Sequence, residues 1–209
     1  MQVSLWMKEK PVCVTDGQLL DEVARAMREG GFRHAPVVDA EGRLVGIISD
    51  RDIREHKGFL PTTRVSAAMI EPAVAVAAND PIERAARLMV ERKIGALPVI
   101  DAERRVIGIV TETDILNGFL DGVGDGEHAV RIDFQFSSPD QGFADAVHAV
   151  ESAGGIVLGL GTFQAAATSG DARRFFIRLI APRLEPIVDA LGQRGVLVQA
   201  VHHLPAQPA

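Results

Sequence analysis

The sequence predicts an α+β protein in which one βαββα unit occurs twice and a different βαββαβ unit follows. Three observations carry that prediction. Residues 35–53, APVVDAEGRLVGIISDRDI, recur as LPVIDAERRVIGIVTETDI in residues 97–115, an offset of 62. The register holds upstream without gaps, pairing Val3-Ser4 with Val65-Ser66, Met7 with Met69, Val12 and Val14 with Val74 and Val76, and Met27 with Met89. Such length marks a duplication. The second observation is a break: residues 117–128, NGFLDGVGDGEH, hold four Gly and three acidic residues and read as a solvated connector. The third is a fresh alternating pattern beyond it. Expected boundaries are 1–62 and 63–120 for the two repeats, 121–128 for the connector and 129–204 for the last unit.

In the first repeat, residues 12–14 form a short strand, and Thr15-x-x-Gln18 offers a capping box for the next helix. Leu20, Val23, Ala24 and Met27 follow at helical spacing and give one apolar stripe. Gly30-Gly31 ends that helix. Residues 35–38 and 44–48 are apolar strands, joined by the turn Asp39-Ala-Glu-Gly42. The second repeat follows suit, with Asp80 as N-cap, Pro81 at the first helical position, Glu83 closing the box, and Ile82, Ala85, Ala86 and Met89 as its stripe. Strands apolar throughout need cover on both faces. One copy cannot provide it; two packed about a pseudo-two-fold axis can.

In the last unit Val130, Ile132, Phe134 and Phe136 alternate as a strand, and Pro139-Asp140-Gln141-Gly142 turns into a helix carrying Phe143, Val147 and Val150. Gly154-Gly155 ends it; residues 156–163 and 175–180 read as strands. Leu184, Ile187, Val188 and Leu191 mark a second helix with Pro186 in its first turn, and Val196, Val198 and Val201 form a final strand. This order is that of a split-βαβ, ferredoxin-like sandwich.

Composition narrows the function. The 209 residues are 47% hydrophobic and 24% charged, enough to bury a core, while aromatics are 5% and Tyr is absent. A balance of 22 basic against 28 acidic residues argues against a nucleic-acid footprint. The single Cys13 excludes an internal disulfide and a thiolate metal cluster, and its Val neighbours make it a buried apolar residue. No run approaches the ~20 apolar residues of a bilayer span, and the N-terminus lacks a signal-peptide pattern, so the expected location is the cytoplasm, with no membrane contact. No Walker loop, His-x-x-x-His pattern or Ser-His-Asp signature points to catalysis. His202 and His203 fall on opposite strand faces and cannot readily chelate together.

Both hairpins end in a Ser/Thr-x-x-Asp motif, Ser49 with Asp52 and Thr111 with Asp114. Spacing alone makes these capping boxes for helices at Ile53 and Ile115. A carboxylate there can also accept from both hydroxyls of a ribose cis-diol. The xPVVD…GIIS-x-x-DI pattern, twice at this spacing, resembles a pair of CBS domains. The last unit, with PDQG after its first strand, resembles an ACT domain. A CBS pair followed by ACT is similar to the AcuB-type (acetoin-utilisation) proteins.

The resemblance implies a non-catalytic sensor that needs no cofactor and takes an adenine nucleotide or S-adenosylmethionine as regulatory ligand between the copies. Carried over residue by residue, it implies ribose contacts from Ser49, Asp52, Thr111 and Asp114. It implies adenine-lining backbone at Ala35, Ala96 and Leu97, and phosphate contacts from Arg33, His34 and Arg51. The second repeat has Gly95, Ala96 and Thr113 in place of those three, so it suits an uncharged or cationic adenosyl group, or stands vacant. An ACT unit implies dimerisation and an amino acid effector near Asp140, Gln141 and Gly142, a segment that turn chemistry alone also explains. Expected partners are a second copy and an unidentified regulated protein. The rival expectation is a scaffold whose CBS sites are vacant.

Overall fold

The computed structural model describes residues 1–122, 129–163 and 174–203. The chain divides into two compact units, Met1–Gly118 and Phe119–Ala209. The first contains β1 (Lys8–Glu9), β2 (Val14–Thr15), α1 (Leu20–Gly30), β3 (His34–Val38), β4 (Leu44–Ser49) and α2 (Asp50–Glu55). Then come β5 (Val76–Ala77), α3 (Ile82–Arg92), β6 (Ala96–Ile100) and β7 (Val106–Thr111), and the boundary falls within α4 (Glu112–Gly122).

Two sheets result, in the orders β2-β3-β4 and β1-β7-β6-β5. The second holds a strand from the first repeat. β1 pairs antiparallel with β7, Lys8 against Ile109, while Ile70 returns the exchange by bridging Ile47. Val3 donates to Asp80 O at 2.9 Å and Val65 to Gln18 O at 2.9 Å, matched bonds at aligned positions. Val3 is thereby fully buried in the second repeat's core and Val65 in the first's. The crossing segments pass close to Gly46 and Gly108, where an added Cβ would stand 2.8 Å from Met69 Sδ and 2.6 Å from Met7 Sδ. The same Cβ atoms would stand 3.1 Å from Ile70 O and 3.3 Å from Lys8 O, so each glycine eases the close approach of the crossing backbone.

The central strands are covered on both faces, with Ala35, Pro36 and Val37 buried in succession in β3 and Ala96 to Val99 in β6. β4 instead alternates buried and half-buried residues along its length.

Several expected caps move. α1 starts at Leu20 with Glu22 accepting from Leu19 N at 3.4 Å, so Thr15 is not its N-cap. Gln18 does reach back to Thr15 N at 2.8 Å, but it closes a turn that precedes the helix. Likewise α3 begins at Ile82 with Pro81 as N-cap, and Asp80 accepts from Ala77 N at 2.8 Å without heading the helix; Glu83 closes no box. The cause is shared: the incoming 65–66 and 3–4 segments occupy the backbone just ahead of each helix. α2 starts at Asp50, three residues before the expected Ile53. α4 continues through Asn117 and Gly118 to Gly122, so the expected connector opens as helix. Gly118 does not end it because the glycine lets the helix approach its neighbours; a Cβ there would stand 2.7 Å from Ile82 Cδ1 and 3.1 Å from the Trp6 ring. The rest of the connector, residues 123–128, and position 204 lie outside the described residues.

The second unit contains β8 (Val130–Phe136), α5 (Phe143–Ser152), β9 (Ile156–Phe163), β10 (Arg174–Ile180), α6 (Glu185–Gln193) and β11 (Val196–His203). Its four strands pair antiparallel in the order β11-β8-β10-β9. Val130, Ile132 and Phe134 face a core shared with Ala146, Val150, Ile187 and Leu191, so α5 and α6 cover one sheet face. The alternate residues Arg131 and Asp133 pair at 2.6 Å on the other face, where Arg131 lies 4.5 Å from the Phe176 ring centroid.

Candidate functional site

The nominated residues gather where each hairpin meets the helix after it. Antiparallel register sets His34 opposite Ser49 and Ala35 opposite Ile48 in the first repeat, and Ala96 opposite Thr111 with Leu97 opposite Val110 in the second. The segment before each proline thus lies beside its own Ser/Thr-x-x-Asp motif. Ala35 and Leu97 are fully buried and Ala96 nearly so.

Both motifs form the helix cap that their spacing predicts. Ser49 N donates to Asp52 Oδ2 at 2.8 Å, Ser49 Oγ to the same oxygen at 2.7 Å, and Asp52 N to Ser49 Oγ at 3.3 Å. Thr111 and Asp114 repeat the set at 2.8, 2.6 and 3.4 Å. In each case Oδ2 alone carries the cap. Oδ1 stays outside these bonds, so a cap and a ribose contact do not compete for one atom.

The basic residues occupy different settings. Arg33 and Arg51 are exposed beside the first motif, and Arg33 O accepts from Asp50 N at 2.9 Å. His34 is half-buried and reaches the other repeat: its Nε2 stands 3.4 Å from where a Gly95 Cβ would lie, and Glu112 Oε2 stands 3.7 Å from the same point. Burial, and then the Arg33 charge, hold its imidazole below the usual histidine range against the upward pull of Asp50, Asp52 and Glu112. Sequence reasoning passed over Glu112. Its alignment with Asp50 at the offset of 62 was the available signal.

At the expected effector turn, Gln141 Oε1 accepts from Ser138 N at 2.9 Å, and its amide donates to Arg194 O. Gly142 N donates to Asp145 Oδ2 at 3.0 Å, and Asp140 N lies 3.4 Å from Ser138 Oγ. Those bonds make Gln141 a brace between two turns. A surface cavity of about 520 Å³ lies elsewhere, at the far end of β5, β6 and β7 among Ala77, Asp80, Arg84, Ile100 and Ile107, and none of the nominated residues lines it. The site is therefore defined by register rather than by that hollow. Among the described residues no cluster of His, Cys, Asp and Glu suits a metal ion, and no helix is long and apolar enough to cross a membrane.

Comparison with known proteins matches residues 2–58 and 65–121 to the CBS domain. Among curated proteins, a homoserine O-acetyltransferase of Methanohalobium evestigatum is 39% identical over 113 residues, 54% of this chain and 23% of that protein. The chain spans less than half the length of the first curated relatives it matches. Three solved structures at 28% identity each cover 57% of the chain. The CBS domain pair of protein MJ0100, in complex with 5′-methylthioadenosine and S-adenosylmethionine, superposes with a TM-score of 0.54 over 95% of its length. CBSX2 in complex with AMP gives 0.51 over 96%. A Vibrio cholerae protein assigned to acetoin utilization (AcuB) gives 0.51 over 90%.

Proposed function

The chain belongs to the CBS domain family, and we propose that its CBS pair is a non-catalytic regulatory sensor for an adenosyl ligand. The carrying observation is the pair of Asp carboxylates whose Oδ2 closes a helix cap while Oδ1 is left over, each beside the backbone that precedes Pro36 or Pro98. Oδ1 of Asp52 and of Asp114 accepts from ribose hydroxyls, with Ser49 and Thr111 beside them, and the backbone of Ala35, Ala96 and Leu97 lines the purine. Arg33, His34 and Arg51 favour a phosphate at the first site. Relatives in complex with S-adenosylmethionine, 5′-methylthioadenosine and AMP support this ligand class.

The residues after the connector form an ACT-like domain, 129–204, beyond the repeats at 1–62 and 63–120. Its support is the ferredoxin-like strand order, fourth-first-third-second, under two helices. This domain dimerises the protein in the cytoplasm, with an amino acid effector at Asp140, Gln141 and Gly142. Ligand energy acts by favouring one of two arrangements of the pair, and a regulated partner protein reads the outcome.

One observation admits a second reading, a scaffold with vacant sites. The capping bonds give both motifs a structural role in heading α2 and α4, a role that a scaffold shares with a sensor. Thermal unfolding with AMP, ADP, ATP, S-adenosylmethionine and NADH separates the two. A ligand at a hundredfold excess over Kd stabilises the fold by about 2.7 kcal/mol. A Tm unmoved by all five leaves the scaffold.

A further inference from the structure

We propose that Glu112 makes the Asp114 site selective for an adenosyl ligand carrying a positive charge, such as a sulfonium, over uncharged and phosphorylated relatives. This rests on the adenosyl reading above and deepens it.

The duplication supplies an internal control. Position 33 touches position 50 through a backbone bond of 2.9 Å, and the aligned Gly95 and Glu112 touch through one of 3.1 Å. Around the first site, Arg33 and Arg51 add guanidinium groups, and Arg54 stands 3.2 Å from the Asp50 carboxylate. In the second repeat these arginines are Gly95, Thr113 and Leu116. All three cations are gone, and the acid has grown by one methylene from Asp to Glu. Among the described residues the Glu112 carboxylate forms no ion pair and accepts no hydrogen bond, whereas Asp50 is neutralised by its neighbour one turn on.

The groups near Glu112 do not replace that lost charge. His34 of the first repeat shares with it the space left open at Gly95, but burial and Arg33 keep the imidazole toward its neutral form. Asp50, Asp52 and Asp114 are acidic, and Arg33 is an exposed residue of the first repeat, one position ahead of β3. A ligand held by Asp114 Oδ1 against the Gly95-Ala96 backbone therefore presents its ribose substituents to an unshared carboxylate. A sulfonium is attracted there and a phosphate repelled. Helix polarity explains why a first-turn acid is tolerated at 112. It does not explain why every compensating arginine of the first copy is missing.

The test is calorimetric titration of S-adenosylmethionine, its neutral thioether counterpart S-adenosylhomocysteine, and AMP. The protein carries Asp52→Asn, which leaves the Asp114 site as the intact one. Glu112→Gln lowers the preference for the sulfonium over the thioether by about two- to fivefold, the range for a charge pair made by an exposed carboxylate. Leu116→Arg, which restores the first copy's neutralising arginine without touching Glu112, lowers it in the same direction. AMP binding strengthens in both. An unchanged sulfonium-to-thioether ratio in both variants overturns the proposal, as does AMP binding where neither sulfur compound binds; in each case the adenosyl reading survives. No binding of any of the three to the unsubstituted protein overturns both.

Discussion

Asp52 accepts twice through Oδ2, from Ser49 N and from Ser49 Oγ, and that economy makes its ligand and structural roles separable. Asparagine at 52 keeps one acceptor for the cap, so Asp52→Asn destabilises the unliganded protein by no more than about 1 kcal/mol. It weakens adenosine and AMP alike, because both bring a ribose. Arg33→Ala, by contrast, weakens AMP about tenfold and leaves adenosine unchanged; the modest figure reflects an exposed side chain. Calorimetry on the two variants decides this, and equal losses for both ligands in Arg33→Ala would make Arg33 structural. His34 adds a pH dependence. Its folded pKa lies below the unfolded value, so the unfolded chain binds the proton more readily. Stability is therefore full above the ordinary histidine pKa of ~6.5 and falls as pH drops from there toward the folded value. Urea midpoints between pH 7.5 and 5.5 decline less steeply in His34→Gln than in wild type; parallel slopes would remove His34 as the source.

Among the elements, α4 is the one whose composition most misleads. Asn117, Gly118 and the following acids suggest a connector, yet the helix runs to Gly122 because Gly118 lets it close on Trp6 and Ile82. Gly118→Leu puts a branched side chain into that contact and costs about 1–3 kcal/mol. It also shifts the emission of Trp6, the only tryptophan in the chain. Gly142→Ala is the contrasting case. Nothing lies within 4 Å of the added methyl and φ is −146°, so chemical denaturation registers only the small cost of alanine at a helix N-cap. A loss at Gly142 as large as at Gly118 would contradict this account of both glycines.

The whole first unit depends on the exchange of leading segments between repeats. Val3 belongs to the first repeat in sequence but fills the second repeat's core beside Ile82 and Leu97. Val3→Ala thus costs about 2 kcal/mol. Hydrogen exchange accelerates in α3, β6 and β7 before β3 and β4; uniform acceleration, or loss confined to the first repeat's sheet, would refute the assignment. Association is the other property at this scale. Leu116, Phe119 and Leu120 are exposed on α4, and β9 and β11 are sheet edges carrying the exposed Ile156 and Leu197. Apolar faces and open edges favour pairing. Light scattering at micromolar concentration is expected to report a dimer, and a monomer there would remove the claim.

Much of this was legible in the chain itself. The offset of 62 establishes the duplication, and alternating or helical spacing sets the type of nearly every element, because each stretch must bury its own apolar side chains. The Ser49 and Thr111 caps follow from spacing too, since a cap closes within four residues. Tertiary structure decided what depends on partners distant in sequence. It moved the starts of α1 and α3, carried β1 into the other repeat's sheet, kept Gly118 helical, and brought His34 to Gly95 and Glu112. The physical reason is common to all four. Local propensity differences at a helix end or a glycine are of order 1 kcal/mol, and burying a Val or packing against a Trp from another segment outweighs them, so composition near such a contact reports the neighbour it meets rather than the conformation it would choose alone.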